Sequence, residues 1–432
     1  MKRTVAVCLA TLFPSLAWSA DLMEVYRDAV AHDARFAAAQ AQFQAGQERV
    51  VQARAGLLPS IGASAGANRN SVDPSAASRT TYNSNSWGVQ LTQPLYRVQN
   101  RIAARQGELQ TEAAEVEFEL ARQDLILRVS EAYFNVLNAQ DALSAVVQLR
   151  TAAAEQLEIA RTSFEVGTVT ITDVHEAQSR FDLAVAQVIA AESGLDVARQ
   201  ALAQVIGRDP EVLATLRPDV EFSPPQPANP LDWAAAAEQG GYAVQLQLLA
   251  REIAEQDVLS SRAGHYPTVD LVASHGHASR QSMSSGRADS TTIGVQLNVP
   301  LYAGGAISSR EREAAALRVK ADSDVDDARR SAALAARQAF VGVTSGMAQI
   351  KALEAAEVSS NSALEANRLG YEVGVRINID VLNAQTQLAD TRRQLAQARY
   401  DTLLAQLRLK AAAGALGEDD IEAINALLGT TP

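Results

Sequence analysis

Two periodicities alternate along this chain, and the order in which they alternate occurs twice. Trp87, Val89 and Leu91 fall on one side of an every-second-residue pattern; Gly88, Gln90 and Thr92 fall on the other. Ile293, Val295, Leu297 and Val299 alternate in the same way with Thr292, Gly294, Gln296 and Asn298. A period of two belongs to β-strands, whose successive side chains point to opposite faces. The pattern predicts one strand pair near 60–69 with 85–96 and another near 267–278 with 290–302. Helical patterns fill most of the rest: 21–57 and 231–264 before the strand pairs, 98–163 and 305–370 after them, then 171–206 and 378–413 beyond sharp turns. Ile126, Val129, Tyr133 and Val136 form an apolar stripe that Leu125, Ala132 and Phe134 widen; Ala339, Phe340 and Val343 repeat it. Between Tyr96 and Gly167 there is no proline and one glycine, Gly107. A helix over 98–163 would run roughly 100 Å, too long for a compact domain.

The order recurs because the chain is internally duplicated. Arg54-Ala55-Gly56-Leu57-Leu58-Pro59-Ser60 answers to Arg262-Ala263-Gly264-His265-Tyr266-Pro267-Thr268, and Gly88-Val89-Gln90-Leu91 to Gly294-Val295-Gln296-Leu297. Phe164-Glu165-Val166-Gly167 answers to Tyr371-Glu372-Val373-Gly374, and Asp173-Val174 to Asp380-Val381. Gly207 and Gly414 close the copies. The expected division is a first copy over 21–207, a Pro-rich linker over 208–230, a second copy over 231–414 and a tail over 415–432. Linker and tail are expected to pack around the middle of the long helices.

One apolar and one small, polar face per strand is what a water-filled membrane barrel requires, and about ten residues suffice for a tilted span. Ser71–Asn85 and Gln281–Ser290 read as exposed loops. An amphipathic hairpin on a soluble domain would show the same alternation, and a plain coiled-coil rod would explain the helices without the strands. Four strands cannot close a barrel in lipid, because closed barrels begin at about eight. An open edge there leaves backbone groups unsatisfied. Several copies must therefore share one wall, and three copies of four strands give twelve.

Composition narrows the class. Hydrophobic residues make up 47% and aromatics only 5%, which suits close-packed helices. Residues 1–20 read as a secretory leader: Lys2 and Arg3, an apolar stretch from Val5 to Leu16, then Ala17-Trp18-Ser19-Ala20. Without Lys2 and Arg3 the 38 basic residues become 36 against 50 acidic, a formal charge of −14. That argues against nucleic acid as a partner. The single cysteine, Cys8, lies in the leader, which leaves no disulfide and no thiol nucleophile. No later stretch offers 18 consecutive apolar residues, so a spanning segment would have to be β. Of the five histidines, His275 and His277 share a strand face and could hold a metal, but no third ligand lies nearby. No nucleophile elbow, P-loop or dinucleotide fingerprint is present. The reading is a non-enzyme without cofactor or metal, and without a P-loop any energy for work would have to come from a partner.

With the duplication, Asp21-Leu22-Met23-Glu24-Val25-Tyr26, Ala132-Tyr133-Phe134-Asn135-Val136-Leu137-Asn138-Ala139, Val166-Gly167 through Ile171-Thr172-Asp173-Val174, and Gly370 through Asp380-Val381-Leu382 resemble the TolC family of outer-membrane channels over nearly the whole chain after the leader. The resemblance implies a mainly α fold with a small membrane β part: a homotrimer with a twelve-stranded outer-membrane β-barrel continuous with a twelve-helix periplasmic α-barrel. It implies an exit duct of tripartite efflux pumps and type I secretion systems, set in outer-membrane lipid. Its partners would be a periplasmic adaptor (membrane fusion) protein and an inner-membrane RND, MFS or ABC transporter. Cargo would be drugs, small toxic compounds or proteins. Rival readings are a periplasmic coiled-coil scaffold and a stand-alone porin.

In such channels links between coiled coils hold the periplasmic end shut and open like an iris. By resemblance Arg376 and Thr172 form one link, Tyr371 and Asp173 a second. Gln156 matches half of a third, where Arg368 replaces an acid. Asp380 matches the upper aspartate of the constriction, and Asn383 replaces the lower one. Val166, Gly167 and Thr168, with Val373, Gly374 and Val375, would dock the adaptor. Plainer roles exist for each: Asp173 stands three residues after Thr170, at capping spacing. Arg376 could be solvated, Tyr371 could simply pack, and the turn glycines could be left-handed caps.

Overall fold

The computed structural model describes residues 20–73, 79–280 and 286–429. The expected leader, with Cys8, lies outside them except for Ala20, as do 74–78 and 281–285 of the expected loops and 430–432 of the tail. The described elements are α1 (Leu22–His32), α2 (Ala34–Ala55), β1 (Ser60–Val72), β2 (Thr80–Tyr96), α3 (Val98–Glu165), α4 (Ile171–Ile206), β3 (Thr215–Leu216), α5 (Pro230–Gly240), α6 (Tyr242–Ala263), β4 (Thr268–Arg280), β5 (Gly286–Asn298), α7 (Ala306–Glu372), α8 (Asn378–Ala412), α9 (Glu418–Asn425) and β6 (Leu428–Gly429).

These differ from the expected elements in particular places. The helical stretch at 21–57 breaks at Asp33, whose ψ of 117° is extended and whose carboxylate caps the Phe36 N–H at 2.7 Å. Its counterpart at 231–264 breaks at Gly241, which has ψ of 128°. The strand pairs are longer than expected at the loop end. Pairing continues through Asn70↔Tyr82 to Val72↔Thr80, and through Ser279↔Arg287 to Arg280↔Gly286. The loops expected over Ser71–Asn85 and Gln281–Ser290 are therefore shorter. Their Ser and Asn residues sit on extended backbone and bond across it, as Asn70 Nδ2 does to Ser84 Oγ at 2.9 Å. At the other end β5 stops at Asn298, two residues before Pro300, which has no N–H for a ladder.

Chain contacts divide the molecule into two compact units that do not follow the sequence copies. One holds the described residues of Met1–Ala37, Arg122–Ala235 and Leu334–Pro432; the other holds Ala38–Ala121 and Ala236–Ala333.

The second unit contains a four-stranded antiparallel sheet in the order β1-β2-β4-β5. Its outer strands, β1 and β5, each have one unpaired edge of 13 residues. Ile61, Val89, Trp87, Ile293, Val295 and Leu297 share one face by register and stand 41–74% exposed. The opposite face carries Gly62, Ser64, Gly88, Gln90, Ser274, Gly294 and Gln296. In the same unit α3 lies close against α2: a Cβ added at Gly107 would come within 2.4 Å of Ala53 Cβ. Close approach explains why α3 keeps a residue that weakens helices by about 1 kcal/mol.

The first unit is built on buried small and aromatic residues. Leu125, Ile126, Val129, Tyr133, Phe134 and Val136 of α3 are all buried. The Tyr133 hydroxyl donates to the Ala214 carbonyl at 2.7 Å, and the Phe134 ring stacks on Tyr400 at 5.7 Å. Linker and tail meet in a small antiparallel pair, Thr215↔Gly429 and Leu216↔Leu428. No helix among the described residues is long and apolar enough to cross a membrane.

Candidate functional site

The candidate residues gather at the α3–α4 and α7–α8 turns, in the first unit. One glycine shapes each turn: Gly167 and Gly374 both have φ of +77°. That left-handed conformation ends a helix at no cost only where there is no Cβ. Around them Val166, Thr168, Val373 and Val375 are exposed, Val375 by 79%. Three exposed valines on two adjoining turns form an apolar tip.

The two turns differ at the helix start. Thr170 caps α4: its hydroxyl accepts from the Asp173 N–H at 3.4 Å, and the Asp173 carboxylate accepts from the Thr170 N–H at 2.8 Å. Asp173 is thereby held by its own turn. At the matching position before α8 stands Ile377, which has no side-chain acceptor. Asp380, the equivalent of Asp173, is free of capping and instead lies 3.6 Å from Arg376 Nη1. Between the two copies, Thr170 stands opposite Ile377 and Val169 opposite Arg376, and these differences separate an aspartate held in a cap from one paired with an arginine.

A cavity of about 750 Å³ lies between the turns, lined by Gln156, Asp173, Arg368, Tyr371, Arg376 and Asn378 among others. Gln156 is buried, and Tyr371 packs against Leu364, Val381 and Leu388. Thr172 is exposed and is not part of the lining. Among the described residues no hydrogen bond joins Thr172 to Arg376 or Tyr371 to Asp173. Leu382 packs with Ala153, Leu157, Ala160, Ala177 and Ala184, which seats α8 on the α3–α4 hairpin. That seating brings Arg180 of α4 to Asn383 of α8, Nη2 to Oδ1 at 3.2 Å.

Sequence reasoning missed two residues here. Arg180 meets a partner 203 positions away on another hairpin, which no local pattern signals. Asn378 is buried beside the cavity, and its Oδ1 has no hydrogen-bond partner among the described residues. Charged residues of both signs around a cavity of mixed lining can hold hairpins together or release them; among the described lining residues no nucleophile is paired with a base. His275 and His277 lie in the second unit, bonded to Thr291 and Asp289. Among the described residues no group of three or more His, Cys, Asp or Glu is placed to hold a metal ion.

A family model described as outer membrane efflux protein matches this chain over residues 25–208 and again over 236–415. The outer membrane protein TolC of Vibrio cholerae is 32% identical over 427 residues, covering 98% of this chain and 97% of that protein. The alkaline protease secretion protein AprF of Pseudomonas aeruginosa is 32% identical over 432 residues, covering 96% and 89%. The crystal structure of the Campylobacter jejuni CmeC outer membrane channel shares the fold with a TM-score of 0.80 at 18% identity, over 94% of this chain and 89% of that one.

Proposed function

Because this chain belongs to the outer membrane efflux protein family, and is thus a Gram-negative outer-membrane channel for efflux and type I secretion rather than an enzyme, we propose that it works as a homotrimer whose three sheets close one twelve-stranded barrel. The observation that carries this reading is the four-stranded sheet with both edge strands open and one face of exposed apolar side chains. In lipid such edges must be paired. Strand direction alternates across β1-β2-β4-β5, so β5 of one copy runs antiparallel to β1 of the next, and any whole number of copies closes with a uniform ladder. Two copies would reach the minimum of about eight strands; three is the number that the family resemblance implies.

The helices beneath form a twelve-helix periplasmic tunnel. Arg376, Thr172, Tyr371, Asp173 and Gln156 act as its gate, with Asp380 and Asn383 as rings in the constriction. Val166, Gly167, Thr168, Val373, Gly374 and Val375 receive the periplasmic adaptor, whose inner-membrane RND, MFS or ABC transporter supplies the energy. Exposure of the three valines supports docking, and the Arg376–Asp380 contact supports the gate.

Cysteine pairs placed on β1 and β5 test the assembly. A panel scanned in register along the two edges, oxidised in native envelopes, is expected to give a disulfide ladder that ends at trimer. Monomer alone across the whole panel would overturn the shared barrel. Loss of the gene is expected to raise drug sensitivity, empty the secretome of its exported proteins, or do both; neither change would refute the export role.

A further inference from the structure

The sheet face that carries Trp87 changes character along its length. In the β1-β2-β4-β5 register, Ile61, Leu91, Ala273 and Ile293 form one wholly apolar row. Toward the helices follow Leu271 with Val295 and Val269 with Leu297. Gln93 is the polar member there, and it spends its amide on the carbonyls of Leu57 and Pro94. Away from the helices the character turns. Val89 stands beside His275 and Thr291, and Trp87 beside His277 and Asp289. The Trp87 ring meets His275 edge-on at 5.6 Å and lies nearly parallel to His277 at 6.5 Å. His277 Nδ1 is 2.6 Å from Asp289 Oδ1, and His275 Nδ1 is 2.8 Å from Thr291 Oγ1. The next rows on this face hold Ala67, Asn85, Ser279 and Arg287, then Arg69 and Asn83. Arg69 and Arg287 are exposed, and neither has a carboxylate within ion-pair distance among the described residues.

A bulge fixes the other limit. Pro94 pairs with Asp270 but Tyr96 with Val269, so Leu95 is an extra residue and Tyr96 returns to the Trp87 face. Trp87 and Tyr96 are nine positions apart. The bulge residue adds no register step, so the span is the eight steps from His277 to Val269 on the partner strand; at about 3.3 Å per residue that is roughly 26 Å along the strand, and at about 40° of tilt roughly 20 Å along the membrane normal. The apolar band of an outer-membrane barrel is about 25 Å tall and is bounded by aromatic girdles. One strand thus carries both of its limits.

We infer that Trp87, His275 and His277 form the outer interfacial belt, and that Arg69 and Arg287 beyond it bind phosphates of outer-leaflet lipid headgroups. Aromatic rings with a polar edge suit the boundary between hydrocarbon and water. Two exposed guanidiniums on the lipid side of that boundary complement anionic headgroups. The inference rests on reading the sheet as membrane wall.

Depth-dependent quenching tests both and separates them. Trp233→Phe trimers and Trp233→Phe/Trp87→Phe trimers are reconstituted in phosphatidylcholine brominated either near the headgroup or near the chain end, and the difference signal is read. Shallow bromine is expected to quench Trp87 more than deep bromine. Stronger deep quenching would overturn the belt while leaving the barrel intact. No quenching by either lipid, with full quenching by aqueous iodide, would refute the membrane wall itself. For the arginines, thermal midpoints are compared in phosphatidylcholine vesicles with and without phosphatidylglycerol. The anionic lipid is expected to raise the wild-type midpoint, Arg69→Gln/Arg287→Gln to lose at least half of that rise, and inorganic phosphate to produce none. An undiminished rise in the double variant, or an equal rise with inorganic phosphate, would overturn the headgroup contact.

Discussion

Arg97 grips Asp270 with two parallel hydrogen bonds, Nε to Oδ1 at 2.8 Å and Nη2 to Oδ2 at 2.5 Å. Asp270 is on the polar sheet face at the helix end of β4 and is almost wholly buried, while Arg97 directly precedes α3. The pair joins strand to helix at the helix end of the sheet. Removing the arginine strands a buried carboxylate, so Arg97→Met is expected to cost about 3 kcal/mol. Arg97→Lys should recover only part, because an ammonium cannot make the fork. Arg97→Met/Asp270→Leu should be less damaged than Arg97→Met alone, since it leaves no orphan charge. Heat dissociation of detergent-solubilised trimers reads all three; equal midpoints for single and double variants would count against a desolvated pair.

Asp33 holds the break between α1 and α2 to α3. Arg128 donates to its carboxylate from Nη1 at 2.8 Å and from Nη2 at 3.2 Å, besides the Phe36 cap. Burial pulls this carboxyl upward, but the bonds from Arg128 and from the Phe36 and Arg35 backbone outweigh it and hold it below the ordinary carboxylate range. A depressed folded-state value means stability that is present above the unfolded value of about 3.9 and is lost as pH falls through the folded one. Asp33→Asn is expected to cost about 2 kcal/mol at neutral pH and to narrow its deficit below pH about 4. A deficit independent of pH would show that shape, not charge, matters at Asp33.

Much of this was legible in the chain because it depended on local pattern. The alternation at Trp87–Leu91 and Ile293–Leu297 located both strand pairs, and the glycines at 167 and 374 located both interhelical turns. Capping by Thr170 followed from its spacing to Asp173. What escaped detection depended on partners distant in sequence. Asp33 reads as one more polar helix residue until Arg128 reaches it 95 positions on. Serines and asparagines after Asn70 resemble a loop because composition does not reveal the facing strand that pairs them. Arg180 gains meaning only through Leu382 and the alanines that seat α8.

Asp141 is titratable for the opposite reason to Asp33. Burial raises its carboxyl above the ordinary range, and neither the Tyr400 hydroxyl, which donates at 2.7 Å, nor the charge of Arg399 reverses that. The folded state therefore holds this proton longer than the unfolded chain. Stability falls as pH rises from the unfolded value through the folded one, and stays lower above it. Asp141→Asn keeps an acceptor for Tyr400 and removes the buried charge, so it is expected to raise the thermal midpoint at pH 7 and leave it unchanged near pH 3. A lower midpoint at pH 7 would mean that the ionised form is the one the fold stabilises.

Asn383 and Arg180 set the charge of the lower constriction ring in the proposed gate. With asparagine at 383 the 3.2 Å contact is a neutral acceptor for a guanidinium, and in the proposed trimer such a ring would be basic rather than acidic. Divalent cations entering from the periplasm should meet only the Asp380 ring, itself partly matched by Arg376 at 3.6 Å. Asn383→Asp adds three carboxylates, but each pairs with its Arg180, so block of single-channel conductance is expected to strengthen only modestly. Asn383→Asp/Arg180→Ala leaves the acids bare and should lower the half-blocking concentration by about tenfold, the scale on which a focused field concentrates counter-ions. The order wild type, Asn383→Asp, Asn383→Asp/Arg180→Ala is specific to this pairing. Equal block in all three would place residue 383 away from the ion path.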